Sequence, residues 1–127
     1  MKQNHYFCAI YLQDPVLTLK LSKSPSECTS KEEIRHQIDL IDKEIIALFG
    51  LRFKYVSEIV KYKNDLESVI AQDRKNHVIK ARGEWAEEHG LDKETFEQIY
   101  RFLVDHNIGK ELEILKKKPK TPKGNVY

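Results

Sequence analysis

The sequence predicts an all-α fold with three helices, one long and two shorter. Apolar residues recur every three or four positions from Ile34 onward, which is the spacing of one helix face. No proline lies between Cys28 and Lys118, so nothing in that stretch forbids a helix. The 127 residues leave room for one domain, and 33% charged with 40% hydrophobic residues is typical of a globular helical protein.

The chain is predicted to have three parts. Residues 1–24 form an N-terminal appendage of unknown role, which contains a short strand-like apolar segment. Residues 25–115 form the helical domain. Residues 116–127 (KKKPKTPKGNVY) are basic and contain prolines, so we expect a disordered tail.

The first helix is predicted from Lys31 to the turn-prone pair Asn64-Asp65. Thr29 or Ser30 can cap its start, and Glu32 and Glu33 are placed to complete a capping box. Its apolar face, called the seam below, follows steps of four and three for about four heptads. The seam positions are Ile34, Ile38, Ile41, Ile45, Leu48, Arg52, Tyr55, Ile59 and Tyr62.

Two shorter helices follow the first. The second is predicted from about Gln72 to His89, where Gly90 ends it, and Asp92 caps the third. The inner face of the third helix carries Phe96, Ile99, Tyr100, Leu103, Asn107, Ile108, Leu112 and Leu115. A first helix of about 30 residues spans roughly 45 Å, which two shorter helices cannot cover completely. We therefore expect a homodimer formed through the first helix.

Basic residues interrupt the apolar faces of the first helix. A guanidinium at the seam position of Arg52 is costly unless an anion, an ion pair or a path to solvent compensates it. Lys63 follows about three turns later on the same predicted side, roughly 16 Å away, so the two side chains can hold a ligand between them. Arg35 lies roughly 25 Å from Arg52 and can serve only the site of an antiparallel partner chain.

The third helix places polar groups on its apolar face. Asn107 and Glu111 are one turn apart and share that face with Leu103 and Ile108. Glu111 either pairs with Arg52 or Lys63 without any chemistry or belongs to a charged internal pocket. The cations predict that such a pocket binds a small anion.

Other functional classes are disfavoured by composition. Lys and Arg (22) nearly balance Asp and Glu (20), so the net charge of +2 does not favour binding to nucleic acid or to a membrane surface. No apolar run approaches the roughly 20 residues that span a bilayer. Cys8 and Cys28 form no metal-ligand or disulfide pattern, so we expect a cytoplasmic protein without a metal.

These residues resemble the all-helical chorismate mutases, and among them the isochorismate-pyruvate lyase branch. The resemblance is carried by IRHQIDLIDKEIIALFGLRFKYVSEIVKYK (Ile34–Lys63), by PSECTS (Pro25–Ser30) and by RGEWAEEHGLD (Arg82–Asp92). It covers about Pro25 to Leu115. The basic residues of that branch recur at the same separations, at Arg35, Arg52, Lys63 and Arg74, with Glu111 at the fifth position.

The resemblance implies an intertwined helical homodimer that binds a small dicarboxylate, chorismate or isochorismate, without a cofactor. Arg52, and Arg35 from the partner chain, would bind the substrate carboxylates. Lys63 would bind a carboxylate and the ether oxygen whose bond breaks, and position 111 would donate to the same oxygen. Arg74 would contact the ring carboxylate. The resemblance implies apolar walls formed by Val56, Ile59, Val78 and Ile108. Asn107 is expected to contact the substrate as well, because it shares the apolar face of the third helix with Glu111.

Two departures from the family pattern keep alternatives open. Position 111 is glutamate where the lyase branch and many bacterial mutases have glutamine, and a glutamate can donate only when it is protonated. Lys75 stands where bacterial mutases have a carboxylate for the ring hydroxyl. We expect chorismate mutase activity, with isochorismate-pyruvate lyase activity as the alternative. The alternatives from other classes are a catalytically idle helical interaction dimer and, with less support, a nucleic-acid-binding dimer.

Overall fold

The computed structural model describes residues 19–118, and its regular structure within that range is entirely helical. Four α-helices occur: α1 is Lys31–Ile59, α2 is Leu66–Ile70, α3 is Gln72–Glu88 and α4 is Lys93–Lys117. Two 3-10 turns, Pro25–Glu27 and Val60–Tyr62, precede and follow α1. The predicted all-α fold with one long and two shorter helices is confirmed, and α2 is an additional element.

The chain divides into two compact units, Met1–Lys54 and Tyr55–Tyr127. The structure describes residues 19–54 of the first and 55–118 of the second. The strand-like segment predicted within the appendage and most of the predicted tail lie outside the described residues. Among those described, no helix is long and apolar enough to cross a membrane, and no group of three or more His, Cys, Asp or Glu side chains is arranged to hold a metal ion.

The predicted capping box sets the start of α1. The Ser30 hydroxyl accepts a hydrogen bond from the Glu33 amide at 3.1 Å. The Glu33 carboxylate reaches back to accept from the Thr29 amide at 2.7 Å and from the Lys23 ammonium at 2.7 Å. Glu33 therefore uses both carboxylate oxygens to hold the segment before α1 against its first turn.

The seam of α1 remains partly exposed in the single chain. No residue of α1 is buried, and Ile34, Ile38 and Ile45 are 43%, 47% and 42% exposed. Isolated exposed apolar side chains are ordinary, but a periodic stripe of them along one helix face is typical of a surface that meets another element.

The first helix ends earlier than the sequence suggested. The α-helical hydrogen bonding stops at Ile59, the Val60–Tyr62 turn follows, and Lys63 is extended with φ −114° and ψ 131°. Val60 is 1% exposed, so the turn is anchored in the core of the second unit. The prediction that α1 continues to Asn64-Asp65 is therefore wrong, and the direction of Lys63 cannot be read from the helical repeat of α1.

A short helix joins this turn to α3. Asp65 caps α2 by accepting from the Ser68 amide at 2.8 Å, and the Ser68 hydroxyl and amide together lower the pKa of Asp65. Ala71, between α2 and α3, has φ 42° and ψ 60°. Residues other than glycine rarely adopt this left-handed conformation, so the packing of α2 and of α3 against α4 must hold Ala71 there.

The pair α3 and α4 forms the main packed layer of the second unit, against which α2 and the Val60–Tyr62 turn also pack. Its core consists of Val60, Val69, Val78, Ile79 and Ala86. The junction is as predicted: Gly90 has φ +74°, and the Leu91 and Gly90 amides return to the carbonyls of Ala86 and Glu87. Asp92 then caps α4 by accepting from the Thr95 amide at 2.9 Å.

Within the junction motif, Arg82 and Gly83 allow α3 and α4 to approach closely. The Arg82 guanidinium lies 4.5 Å from the ring centroid of Trp85 and 5.9 Å from that of Tyr100 on α4. A Cβ atom at Gly83 would lie 2.6 Å from Cγ of Glu97, so a larger residue there would have to displace that side chain.

The last helix extends into the segment predicted as a disordered tail. Lys116 and Lys117 form its last turn, where positive charge favours the exposed carbonyls at a helix C-terminus. Lys118 is extended, with φ −64° and ψ 136°, as expected for a residue that precedes a proline. The helix thus ends at Lys117 rather than at Leu115.

The contacts of Glu33 predict a pH-dependent contribution to stability. The Lys23 ammonium and the Thr29 amide lower the pKa of Glu33 from 4.5 to about 2. A carboxylate with a lowered pKa stabilises the fold above its unfolded-state pKa, and this contribution disappears as the pH falls from about 4.5 towards about 2. We expect Glu33→Gln to lower the urea midpoint at pH 6 by a small, salt-sensitive amount, because the group is exposed.

The measurement is urea unfolding of the wild type and Glu33→Gln at a series of pH values, at fixed protein concentration. The difference between the two midpoints should shrink across that acid range. Lys23→Met serves as the control and should reproduce part of the difference. A difference that stays constant down to pH 2.5 would contradict the role given to the ionised carboxylate.

Candidate functional site

A buried ion pair lies at the centre of the candidate site in the second unit. The Lys63 ammonium donates to Oε1 of Glu111 at 3.1 Å, with the two side chains 16% and 6% exposed. One partner follows the Val60–Tyr62 turn and the other lies on α4. Of the two partners considered for Glu111 from the sequence, the structure places Lys63 in contact with it.

The buried face of α4 carries a second polar residue. Asn107 is 6% exposed and Glu111 is 5% exposed, and they lie one turn apart. The prediction that both residues share the inward face of this helix is confirmed. An amide and a carboxylate on a face otherwise made of apolar residues are costly to bury unless they bind a polar partner.

The backbone that presents Lys63 is itself held by hydrogen bonds. The Lys63 amide donates to the Val60 carbonyl at 3.0 Å and closes the 3-10 turn. The Lys118 ammonium donates to the carbonyls of Val60, Lys61 and Lys63 at 3.0, 3.1 and 3.1 Å. Lys118 was not predicted from the sequence as part of the site, because its position next to prolines and other lysines is typical of a disordered tail. Pro119 was the available signal, since a proline one position later fixes where the helix must end.

In the first unit, α1 carries the two arginines of the predicted site. Arg52 is half-buried, and its Nη1 atom is shielded from solvent with no hydrogen-bond partner among the described residues. A buried guanidinium nitrogen in this state is costly, and an anionic ligand would compensate it. Arg35 is exposed, as the prediction that it serves a partner chain requires.

The remaining predicted residues differ in exposure. Arg74, in the first turn of α3, is exposed, and Ile59 is 47% exposed. Val78 is buried, whereas Val56 and Ile108 are half-buried. Among the predicted site residues that the structure describes, Lys63 and Glu111 are joined by a hydrogen-bonded ion pair.

Lys75 occupies the position at which bacterial mutases are expected to carry a carboxylate, and it already has a partner in this chain. Lys75 forms an ion pair with Asp105, which links α3 to α4, and its side chain is 17% exposed. The Lys75 ammonium is therefore already satisfied by a residue of its own chain.

The arrangement in the second unit can bind and polarise an anion. An ammonium that has little contact with water interacts more strongly with a nearby charge than a surface lysine does. An incoming carboxylate can replace Glu111 as the partner of Lys63, and both side chains can then act as hydrogen-bond donors if Glu111 is protonated.

Comparison with known proteins defines the class of this chain. Residues 34–112 match the sequence profile of the family described as chorismate mutase type II. This range includes α1 almost completely, together with α2, α3 and most of α4. The chain belongs to the chorismate mutase type II family.

Individual relatives fall into both branches considered from the sequence. The isochorismate pyruvate lyase of Pseudomonas aeruginosa is 31% identical over 91 residues, which cover 72% of this chain and 90% of that protein. The chorismate mutase of Methanocaldococcus jannaschii is 29% identical over 76 residues, 59% of this chain and 77% of that protein. The T-protein of Haemophilus influenzae is 29% identical over 82 residues, 63% of this chain but only 22% of that longer protein.

The buried ion pair predicts unequal effects of removing its two members. Lys63→Met leaves the Glu111 carboxylate buried without its cation, and we expect the free energy of unfolding to fall by about 3 kcal/mol. Glu111→Gln keeps an oxygen that can accept from Lys63, so its cost should be smaller. The double variant should recover part of the loss, because no uncompensated carboxylate remains.

Urea unfolding of the four proteins at one protein concentration measures these differences. Lys61→Met is the matched control, because Lys61 lies two positions before Lys63 and forms an exposed ion pair with Glu58. Additive effects of the Lys63 and Glu111 substitutions would show that the two groups are not energetically coupled.

Proposed function

We propose that this chain is a chorismate mutase-type pericyclic enzyme that converts chorismate to prephenate. The observation that carries the proposal is the buried Lys63–Glu111 contact in a chain of the chorismate mutase type II family. The half-buried Arg52, with an unsatisfied Nη1 atom, adds a second cation suited to a carboxylate.

The proposed reaction needs positioning and charge stabilisation. Chorismate carries two carboxylates and an enolpyruvyl ether; in the rearrangement the ether C–O bond breaks while a new C–C bond forms, and negative charge grows on the ether oxygen. Arg52, with Arg35 of a second copy of the chain, would hold the substrate in a compact chair-like conformer. The Lys63 ammonium and a protonated Glu111 would donate to the ether oxygen. On this proposal, residues of the chain supply every group and no cofactor takes part.

A second candidate is isochorismate-pyruvate lyase activity, in which the corresponding C–O bond breaks while a hydrogen moves from the ring to the methylene carbon of the enolpyruvyl group, giving salicylate and pyruvate. Lys75 favours it, because the carboxylate that the family resemblance assigns to mutases at this position is absent. The similarity to the Pseudomonas aeruginosa lyase across 90% of that protein supports the same candidate. Both reactions could occur in one site, because both break the bond to the same ether oxygen.

The proposed assembly is an intertwined homodimer formed through α1. The exposed, heptad-spaced seam supports it, since a second copy supplies an identical apolar stripe. The nearly balanced charge gives no support to a nucleic-acid partner. The absence of a disulfide pattern around the two cysteines supports a cytoplasmic location.

One assay tests the proposed function. Purified full-length protein is incubated separately with chorismate and with isochorismate, and prephenate, salicylate and pyruvate are followed. Prephenate from chorismate supports the mutase, and salicylate with pyruvate from isochorismate supports the lyase. A chain that converts neither substrate would be the idle interaction dimer.

Sharing of a site between two chains predicts complementation. If Arg35 and Arg52 of each site come from different chains, Arg35→Ala and Arg52→Ala should each lower kcat/KM at least a hundredfold, since each removes a charged contact to a carboxylate. Denaturing and refolding an equimolar mixture should restore about a quarter of the wild-type activity, because half the dimers are mixed and each mixed dimer has one intact site.

The control refolds Arg35→Ala with the double variant Arg35→Ala/Arg52→Ala, a mixture in which no site is intact. Initial rates measured with saturating substrate compare the mixtures. If the arginines of one site belong to a single chain, mixing will restore nothing, and the shared site would be excluded.

A further inference from the structure

The Lys118 side chain makes three backbone contacts. An ammonium has three N–H donors, and the Lys118 ammonium lies within 3.0 to 3.1 Å of three carbonyls, those of Val60, Lys61 and Lys63. Lys118 itself is half-buried, unlike the exposed Lys116 and Lys117 that precede it. These three hydrogen bonds to backbone carbonyls therefore determine where the Lys118 side chain lies.

Two of the three carbonyls belong to the Val60–Tyr62 turn that follows α1, and the third belongs to Lys63 directly after that turn. Carbonyls at a helix C-terminus lack intrahelical partners and carry partial negative charge, so a cation there is favourable. The Lys61 and Lys63 carbonyls lie beyond the last α-helical residue, Ile59. The Lys118 ammonium thus supplies a donor to the Lys61 and Lys63 carbonyls and a second donor to the Val60 carbonyl, which already accepts from the Lys63 amide.

Lys63 is held by α4 at two points. Glu111 accepts from its ammonium, and Lys118 donates to its carbonyl. Glu111 and Lys118 lie about two turns apart on or directly after the same helix, so the helix fixes the distance between the two points. A lysine has four rotatable side-chain bonds, and fixing its backbone restricts where its ammonium can lie.

We propose that Lys118 is a positioning residue that sets the place of the Lys63 ammonium through the Val60–Lys63 backbone. The catalytic part of this inference rests on the proposed function, because it requires that Lys63 acts on the substrate. When the substrate replaces Glu111 as the partner of Lys63, the Lys118 contact still holds the backbone of that lysine. The donor therefore stays in position during the reaction, where a small displacement is costly.

The experiment compares Lys118→Met with Lys118→Arg and Lys117→Met. Methionine retains an unbranched chain without donors, arginine restores the charge and the donors, and Lys117→Met removes the same charge from the neighbouring exposed position. Lys118→Gln is the second neutral variant, used if Lys118→Met does not fold by circular dichroism. Hydrogen–deuterium exchange of residues 60–64 is measured on the full-length protein without ligand, and kcat and KM are measured with chorismate and isochorismate.

We expect Lys118→Met to speed amide exchange in residues 60–64 roughly tenfold, the loss that corresponds to one charge-assisted hydrogen bond. We also expect kcat to fall about tenfold while KM changes less than twofold, because the misplaced donor is needed most in the transition state. Lys118→Arg should restore most of both values, and Lys117→Met should match the wild type in both.

Three results would overturn the inference. The first is unchanged exchange in residues 60–64 of the neutral variants, which would exclude the contact. The second is faster exchange with wild-type kcat, which would reduce Lys118 to a structural role. The third is an equal fall of kcat in Lys117→Met, which would point to charge and not to position. If the wild type converts neither substrate, the proposed function and the catalytic role of Lys118 both fail. The hydrogen–deuterium exchange measurement would still show whether Lys118 holds the backbone of residues 60–64.

Discussion

The ammonium of Lys63 and the carboxylate of Glu111 meet 3.1 Å apart, where little water reaches either group. Removing two such charges from water costs several kcal/mol each, and only a close, well-oriented contact recovers that cost. The contact therefore constrains the elements that carry the two groups. The chain must leave helical geometry after Ile59 so that Lys63 can reach α4, and α4 must present Glu111 and Asn107 on its packed face.

The sequence predicted most of the elements because their determinants are local. Ser30 and Glu33 at one helix start, Asp92 at another and Gly90 at a helix end act through hydrogen bonds or backbone angles within a few residues. Glu111 was also predictable, because a charged residue among apolar ones on a helix face must find a partner. Which partner it finds depends on the path of the chain 48 residues earlier, so the sequence left Arg52 and Lys63 as alternatives.

The end of α1 was not predictable from local patterns. The heptad spacing continues through Ile59 and Tyr62, and Asn64-Asp65 is a stronger turn signal than any residue at 60–62. The helix nevertheless ends at Ile59 because Val60 packs in the core of the second unit and Lys118, 58 residues away, hydrogen-bonds to its carbonyl. Tertiary contacts between residues so far apart in the sequence override the intrinsic tendency of a segment to continue as a helix.

The same ion pair places two requirements on Glu111 that cannot be met in one protonation state. As the partner of Lys63 it serves best as a carboxylate, but as a donor to the ether oxygen in the proposed reaction it must carry a proton. In the proposed reaction a dianionic substrate can place its own carboxylate against the Lys63 ammonium and so release Glu111 from the ion pair. A glutamine at this position would donate without any change of protonation state, whereas Glu111 must both leave Lys63 and carry a proton.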